Sequence, residues 1–205
     1  MYMRKFILFF ALMMAATTMF AANKGIPSEI FKDGKAKYLK STNTLVLEDG
    51  FLFRQGKGLV VFNTGKDLRI LLKGNAEFRA SLVFEDKVVV DSEGDHKLSV
   101  TSNVSGSAVK CPALTVNKAV QLELLSRNSQ DGMYALDCPD ITVNGGTLIS
   151  EVTTANMAVK TERLNLNGSW LEKPKGGIVD AESGRICFGD SIPAKRVRIT
   201  PEVQK

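Results

Sequence analysis

The stretch from Ala108 to Gly168 repeats itself, and this repeat limits the possible folds more than any other feature of the chain. Three copies begin at Ala108, Ala135 and Ala158, and each contains an alternating apolar pair that ends in Asn. The copies are 27 and 23 residues apart. Offsets of about 20–50 residues are typical of solenoids and propellers. Each copy therefore predicts a short strand with one buried face, followed by a corner.

The phase of the repeat distinguishes between two all-β folds. Short strands at regular spacing also occur in antiparallel sandwiches. In a parallel β-helix, however, equivalent positions stack on one another, which explains why the same residue types return in each copy. Asn117, Asn144 and Asn167 are then predicted to form a ladder of amide hydrogen bonds, and Cys111 is predicted to lie under Cys138. We predict an all-β, single-stranded parallel β-helix with coils of about 22–27 residues.

Alternation within the strands predicts which side chains point inward. The predicted inward stack consists of Leu114/Val116, Ile141/Val143, Leu164/Leu166 and, in a last coil, Ile186/Phe188. The predicted outward columns are Ala113, Asp140, Arg163 and Arg185, and Thr115, Thr142, Asn165 and Cys187.

The N-terminal residues have the pattern of a secretory signal peptide. Arg4 and Lys5 precede an apolar run, and the small residues Ala21 and Ala22 follow it. The run is close to the lower limit of the ~20 residues that a membrane span needs, so an anchor is the weaker alternative. We predict a signal peptide at 1–22 and an exported mature chain, periplasmic or extracellular, with no membrane span.

Two further regions follow the signal peptide. The end of a solenoid exposes unpaired backbone and needs a cover, so residues 23–43 are predicted to be an N-terminal cap. Residues 44–205 are predicted to be the β-helix domain. The formal charge of +5 is mild and the basic residues are scattered, which argues against a nucleic-acid partner.

The cysteines leave two states open. Cys111 and Cys138 would stack about 4.8 Å apart, which suits either a disulfide or a ladder of buried thiols. Cys187 has no evident partner. The chain contains neither a CxxC motif nor a Cys/His cluster, so we expect no metal and no cofactor.

The residues for catalysis are sparse. His96 is the only histidine, which excludes Ser/His/Asp and Cys/His hydrolases. A glycosidase needs two carboxylates that face each other, and Asp137 and Asp140 are the nearest acids within one coil. Their expected neighbours are the basic residues Lys110, Lys160 and Arg163. We therefore predict no enzymatic activity.

Binding of a glycan is easier to accommodate. Trp170 is the only tryptophan; burial in the core is favoured for so large a side chain, and a sugar platform is the alternative. Tyr134, Asp140, Arg163 and Arg185 are the other candidate binding residues. Arginines on one outward face could hold carboxylated or sulfated glycans by paired hydrogen bonds.

Several segments carry a family resemblance: Thr44–Leu47, 68–75, 94–100 and 141–147. In their order and spacing they resemble a family of secreted bacterial β-helical domains described as carbohydrate-binding-like, related to the pectate-lyase-type β-helices. The resemblance spans most of residues 44–190 and implies a right-handed coil and a polysaccharide ligand. The alternatives are a structural or adhesive module that binds an envelope protein, and a polysaccharide lyase or hydrolase.

Overall fold

A computed structural model describes residues 25–103, 106–127, 134–153, 157–180, 182–188 and 192–202. The predicted signal peptide lies outside these ranges. The described residues are nearly all β, with 61% of them in strands, and parallel coils stack into a solenoid of about five turns. The predicted all-β parallel β-helix is thus confirmed. In the part of the chain that is described, no helix is long and apolar enough to cross a membrane.

One turn of 3-10 helix, Ser28–Phe31, precedes the strands. In chain order the strands are β1 (Ala36–Leu39), β2 (Thr44–Leu47), β3 (Phe51–Phe62), β4 (Leu68–Leu72), β5 (Ala76–Phe84), β6 (Val88–Ser92), β7 (His96–Ser102), β8 (Val109–Lys110), β9 (Ala113–Val116), β10 (Val120–Ser126), β11 (Leu136–Asp137), β12 (Asp140–Asn144), β13 (Thr147–Val152), β14 (Val159–Lys160), β15 (Arg163–Asn167), β16 (Ser169–Lys173), β17 (Ile178–Asp180), β18 (Arg185–Phe188), β19 (Ile192–Pro193) and β20 (Arg196–Pro201).

The parallel strands form three faces around one core. The first face consists of β2, β4, β6, β9, β12 and β15. The second face consists of the first halves of β3 and β5 together with β7, β10 and β13, and the third face consists of their second halves with β8, β11 and β14. The second and third faces belong to one 13-stranded sheet, because β3 and β5 each run through both of them.

Apolar residues stack on apolar residues through the core. On the first face, Val116 pairs with Val143, and Val143 pairs with Leu166. The alternation of the strands turns these side chains inward, as predicted, and the tightly packed interior extends down to Phe51 and Phe78, whose ring centroids are 5.0 Å apart. Burial of such side chains is the main contribution to the stability of the coils.

The C-terminal end departs from the predicted pattern. The strand β20 inserts between β13 and β16 and runs antiparallel to both, and β18 runs antiparallel to β14 on the third face. Ile186 therefore does not stack on Leu164, and the prediction of a last coil in the same stack is wrong. Because alternation is the same for a strand of either direction, the spacing could not reveal the reversal.

Because β18 is reversed, two residues do not lie in the outward columns predicted for them. Arg185 pairs with Lys160 on the third face, not with Arg163 on the first. Cys187, predicted to face water, is buried. The antiparallel strands cover the edges of β13 and β14, which would otherwise expose unpaired backbone groups.

At the N-terminal end, β1 pairs antiparallel with β2 and occupies the edge of the first face. Ile30, from the 3-10 turn, is buried in the core. Both elements belong to residues 23–43, the range predicted as a cap.

Candidate functional site

The corner after the first face carries a ladder of polar side chains. Asn144 donates its Nδ2 to Oδ1 of Asn117 at 2.9 Å, and Asn167 donates its Nδ2 to Oδ1 of Asn144 at 2.8 Å. Asn117 in turn donates to Oδ1 of Asp91, whose Oδ2 accepts a hydrogen bond from Nε of Arg69 at 2.6 Å. The contacts join five neighbouring strands. A carboxylate takes the place of Asn in the lowest rung, which is why the Asn repeat did not reveal Asp91.

A groove of about 500 Å³ runs along the corner between the first and second faces. It is lined by Asn75, by residues 95–97, 118–121 and 145–147, and by Pro201. The groove thus crosses several successive coils, so that a long ligand could lie along the solenoid axis.

Glycines shape the floor of this groove. Gly146 lies so close to the preceding coil that a Cβ would meet the carbonyl oxygen of Asn117 at 2.5 Å. Gly145 has a φ of 66°, a left-handed conformation that favours glycine. The corner carries no side chain at these two residues, while Asp95 and Lys118 are exposed on neighbouring corners.

A row of outward side chains on the second face ends in Trp170. In the strand register Lys97 pairs with Gln121, Gln121 with Thr147, and Trp170 with Thr200, and β20 lies between β13 and β16. Four strand spacings make this row about 19 Å long. We call this set of five residues the Trp170 row: Lys97, Gln121, Thr147, Thr200 and Trp170.

Trp170 adjoins the groove. The side chain is 44% exposed, so the expectation that it packs in the core is wrong. The reason is its position on β16, where Trp170 faces outward beside Thr200 and the next residue, Leu171, packs against the core. Pro201, which lines the groove, pairs with Ser169 directly before Trp170.

The polar side chains of the groove are held in place by their neighbours. Oδ1 of Asn75 accepts the backbone N–H of Lys97 at 2.9 Å, and Nε2 of Gln121 donates to Glu123 at 2.6 Å. Nζ of Lys97 lies 3.5 Å from the same Glu123 carboxylate. These contacts fix the amide groups before any ligand arrives, which lowers the entropy lost on binding.

The binding residues predicted from the sequence lie on different faces. Arg163 donates its Nη2 to Asp140 at 2.8 Å on the first face. Arg185 lies on the third face, and Tyr134 is buried near it, with Nζ of Lys160 5.7 Å from its ring centroid. Trp170 lies at the far end of the 13-stranded sheet from β18. The five candidates therefore do not form one site.

The sequence did not single out the groove residues Asn75, Lys97, Gln121 and Thr147. The only available signal was position, because Gln121 is the second residue of β10 and Thr147 the first residue of β13, each shortly after an Asn corner. Their polar, common side chains match no motif, so only the three-dimensional stacking brings them together.

The three cysteines are free and buried. The side chains of Cys111 and Cys138 are hydrogen-bonded, and this contact, followed by burial, raises the pKa of the Cys111 thiol well above its usual value. Cys138 also donates to the carbonyl of Asp140 at 3.2 Å, and Thr161 makes the equivalent bond to Arg163 in the next coil. The thiols serve here as part of a packed corner.

The acids nearest to one another in sequence are engaged with bases. Asp137 lies 3.6 Å from Lys110 on the third face, and Asp140 binds Arg163 on the first. No group of three or more His, Cys, Asp or Glu side chains suited to a metal occurs among the residues whose placement is described.

No protein-family model, curated protein or solved structure matches the chain. The β-solenoid is thus established by the structure alone, and the resemblance to carbohydrate-binding-like domains receives no support from these comparisons.

Proposed function

We propose that the protein is an exported, non-catalytic β-solenoid that binds polysaccharide along the groove and the Trp170 row. One observation carries this proposal: the single tryptophan is exposed at the end of a polar row whose other end lines the groove. Exposure of so large an apolar surface costs free energy, and a binding role accounts for it.

The aromatic ring suits a sugar. The C–H groups on one side of a pyranose ring present a flat apolar surface, and an indole face packs against such a surface while its negative π-cloud attracts the C–H hydrogens. Trp170 would supply this platform at one end of the row.

The polar residues of the groove are suited to bind the hydroxyl groups of a sugar. Gln121 and Asn75 carry planar amides, and Thr147 carries a hydroxyl, so the groove contains both donors and acceptors. Small-molecule sites commonly combine an apolar surface with a few polar groups that orient the ligand. The resemblance to secreted carbohydrate-binding-like domains points to the same ligand class.

The arrangement of the acids favours binding over cleavage. A glycosidase holds its two carboxylates about 5–10 Å apart across the bond to be cleaved. Asp137 and Asp140 lie on different faces, and each carboxylate is paired with a base of a neighbouring coil.

The experiment is affinity electrophoresis of the full chain in gels containing individual polysaccharides, with Trp170→Ala compared against the wild type. We expect retardation by at least one polysaccharide, and a weakening of about tenfold or more in Trp170→Ala, which corresponds to about 1.4 kcal/mol.

Arg163→Ala is the matched control, because Arg163 is an exposed residue on the first face. It should leave retardation unchanged. Retardation by no polysaccharide, or retardation lost in Arg163→Ala and kept in Trp170→Ala, would contradict the proposal.

A further inference from the structure

We infer that the ligand of the groove and the Trp170 row is an uncharged polysaccharide, not an acidic one. This inference rests on the proposed function and concerns the same site. The charges on the outward second face, their pairing and the neutral groups beside them carry it.

Four of the cationic side chains on this face are paired with carboxylates. The pairs are Lys97–Glu123 at 3.5 Å, Arg79–Glu77 at 2.6 Å, Arg196–Glu151 at 3.4 Å and Arg198–Glu172 at 3.1 Å. An anionic sugar approaching any of these cations would meet the carboxylate already beside it. Such an approach gives little net attraction, because opposite contributions from the two partners largely cancel.

Positive and negative charges are also balanced in the groove. Lys97 and Lys118 bring positive charge, and Asp95 and the Glu123 carboxylate beside Lys97 bring an equal negative charge. A groove that selects acidic polymers would be expected to carry an excess of positive charge along its length. This groove does not.

The neutral amide groups between these charges can form hydrogen bonds with sugar hydroxyls. Asn75 uses its Oδ1 for the backbone of Lys97, so its Nδ2 is left as a donor; Gln121 uses its Nε2 for Glu123, so its Oε1 is left as an acceptor. A sugar hydroxyl can donate and accept, so it can satisfy both.

The arginines that would suit an acidic glycan do not converge on the groove. Arg163 belongs to β15 on the first face and is paired with Asp140; Arg185 belongs to β18 on the third face. Paired recognition of one carboxylate or sulfate by these two residues is therefore excluded by their positions on separate faces.

The test uses the full chain and two polymers with the same backbone, hydroxyethylcellulose and carboxymethylcellulose, together with neutral and acidic polysaccharides (xylan, mannan, polygalacturonate, alginate). Affinity is measured by calorimetry at low and high salt. We expect neutral polymers to bind and their affinity to change by less than about twofold between about 50 and 500 mM NaCl, because screening acts on charge pairs alone. Acidic polymers should bind at least about fivefold more weakly.

The variant Glu123→Gln sharpens the test. It leaves Lys97 without its carboxylate, while the new amide oxygen can still accept the hydrogen bond of Gln121. We therefore expect the ratio of acidic-polymer affinity to neutral-polymer affinity to rise in this variant. Preferential binding of acidic polymers by the wild type, with an affinity that falls more than about tenfold at high salt, would overturn the inference and leave the proposed function standing. Binding of no polymer would overturn the proposed function, and the inference with it.

Discussion

The side chains of Asn144 and Asn117 lie on successive coils and are joined by an N–H···O hydrogen bond of 2.9 Å. Asn144 also accepts a hydrogen bond from Asn167 on its other side. One amide thus ties together three strands of the first face, and the same corner borders the groove. The ladder links the repeat in the sequence to the position of the site.

Replacement of the middle amide should destabilise the solenoid. In Asn144→Ala both hydrogen bonds of the ladder are lost and the half-buried Oδ1 of Asn117 loses its donor, so we expect the free energy of unfolding to fall by about 1–2 kcal/mol. Urea unfolding followed by circular dichroism measures this. Asn165→Ala is the control, because Asn165 is exposed and its two contacts are long, at 3.4 Å. Equal losses in the two variants would contradict a structural role for the ladder.

The glycine at the floor of the groove should not tolerate a methyl group. In Gly146→Ala the added Cβ would meet the Asn117 carbonyl, which is backbone and cannot move away, so we expect a loss of about 1–3 kcal/mol. In Gly94→Ala the nearest atom is the end of the His96 side chain at 3.2 Å, which can turn aside. Thermal unfolding of both variants should show a clearly larger decrease in Tm for Gly146→Ala; similar decreases would contradict the close approach of the two coils.

The repeat predicted the coils because it lies where the stacking is regular. From Leu114 to Leu166 the register follows the copies, and the amide ladder joins the Asn residues that end them. The C-terminal strands could not be predicted in the same way. A strand of either direction shows the same alternation, so the spacing from Leu164 to Ile186 looked like one more coil.

The candidate site was predictable only in part. Trp170 could be singled out as an unusual residue, but its place at the end of the row depends on β20, which separates β16 from β13. No local pattern in the sequence encodes the insertion of that strand. The spacing of the sequence placed Arg163 and Arg185 in one outward column. The reversed direction of β18, which the sequence does not reveal, takes Arg185 to another face.

The insertion of β20 can be tested with two isoleucines. Ile199 is 0% exposed in the core and Ile192 is 61% exposed. We expect Ile199→Ala to cost about 2–5 kcal/mol through lost burial and a cavity, and Ile192→Ala to cost less than about 0.5 kcal/mol. Chemical denaturation at equilibrium measures both. A mild effect of Ile199→Ala would show that β20 does not contribute to the core.

Alkaline pH should destabilise the protein through Cys111. The unfolded thiol ionises near about pH 8.5, whereas the hydrogen bond to Cys138 and burial hold the native pKa higher. Above that pH the unfolded state binds fewer protons than the native state, so stability falls as the pH rises towards the native pKa. Unfolding of Cys111→Ser, measured from about pH 7 to 10, should lose less stability over this interval than the wild type. If the stability of the two proteins fell equally with pH, the result would contradict a protonated, buried thiol at Cys111.

Trp170 is the only tryptophan, so its fluorescence reports on the proposed site without a label. Titration of the full chain with a polysaccharide that it retains on a gel tests the central claim most directly. We predict a saturable shift of the emission to shorter wavelength and protection from iodide quenching, because the sugar would displace water from the exposed indole. Binding that saturates while the Trp170 emission and its quenching stay unchanged would contradict the account.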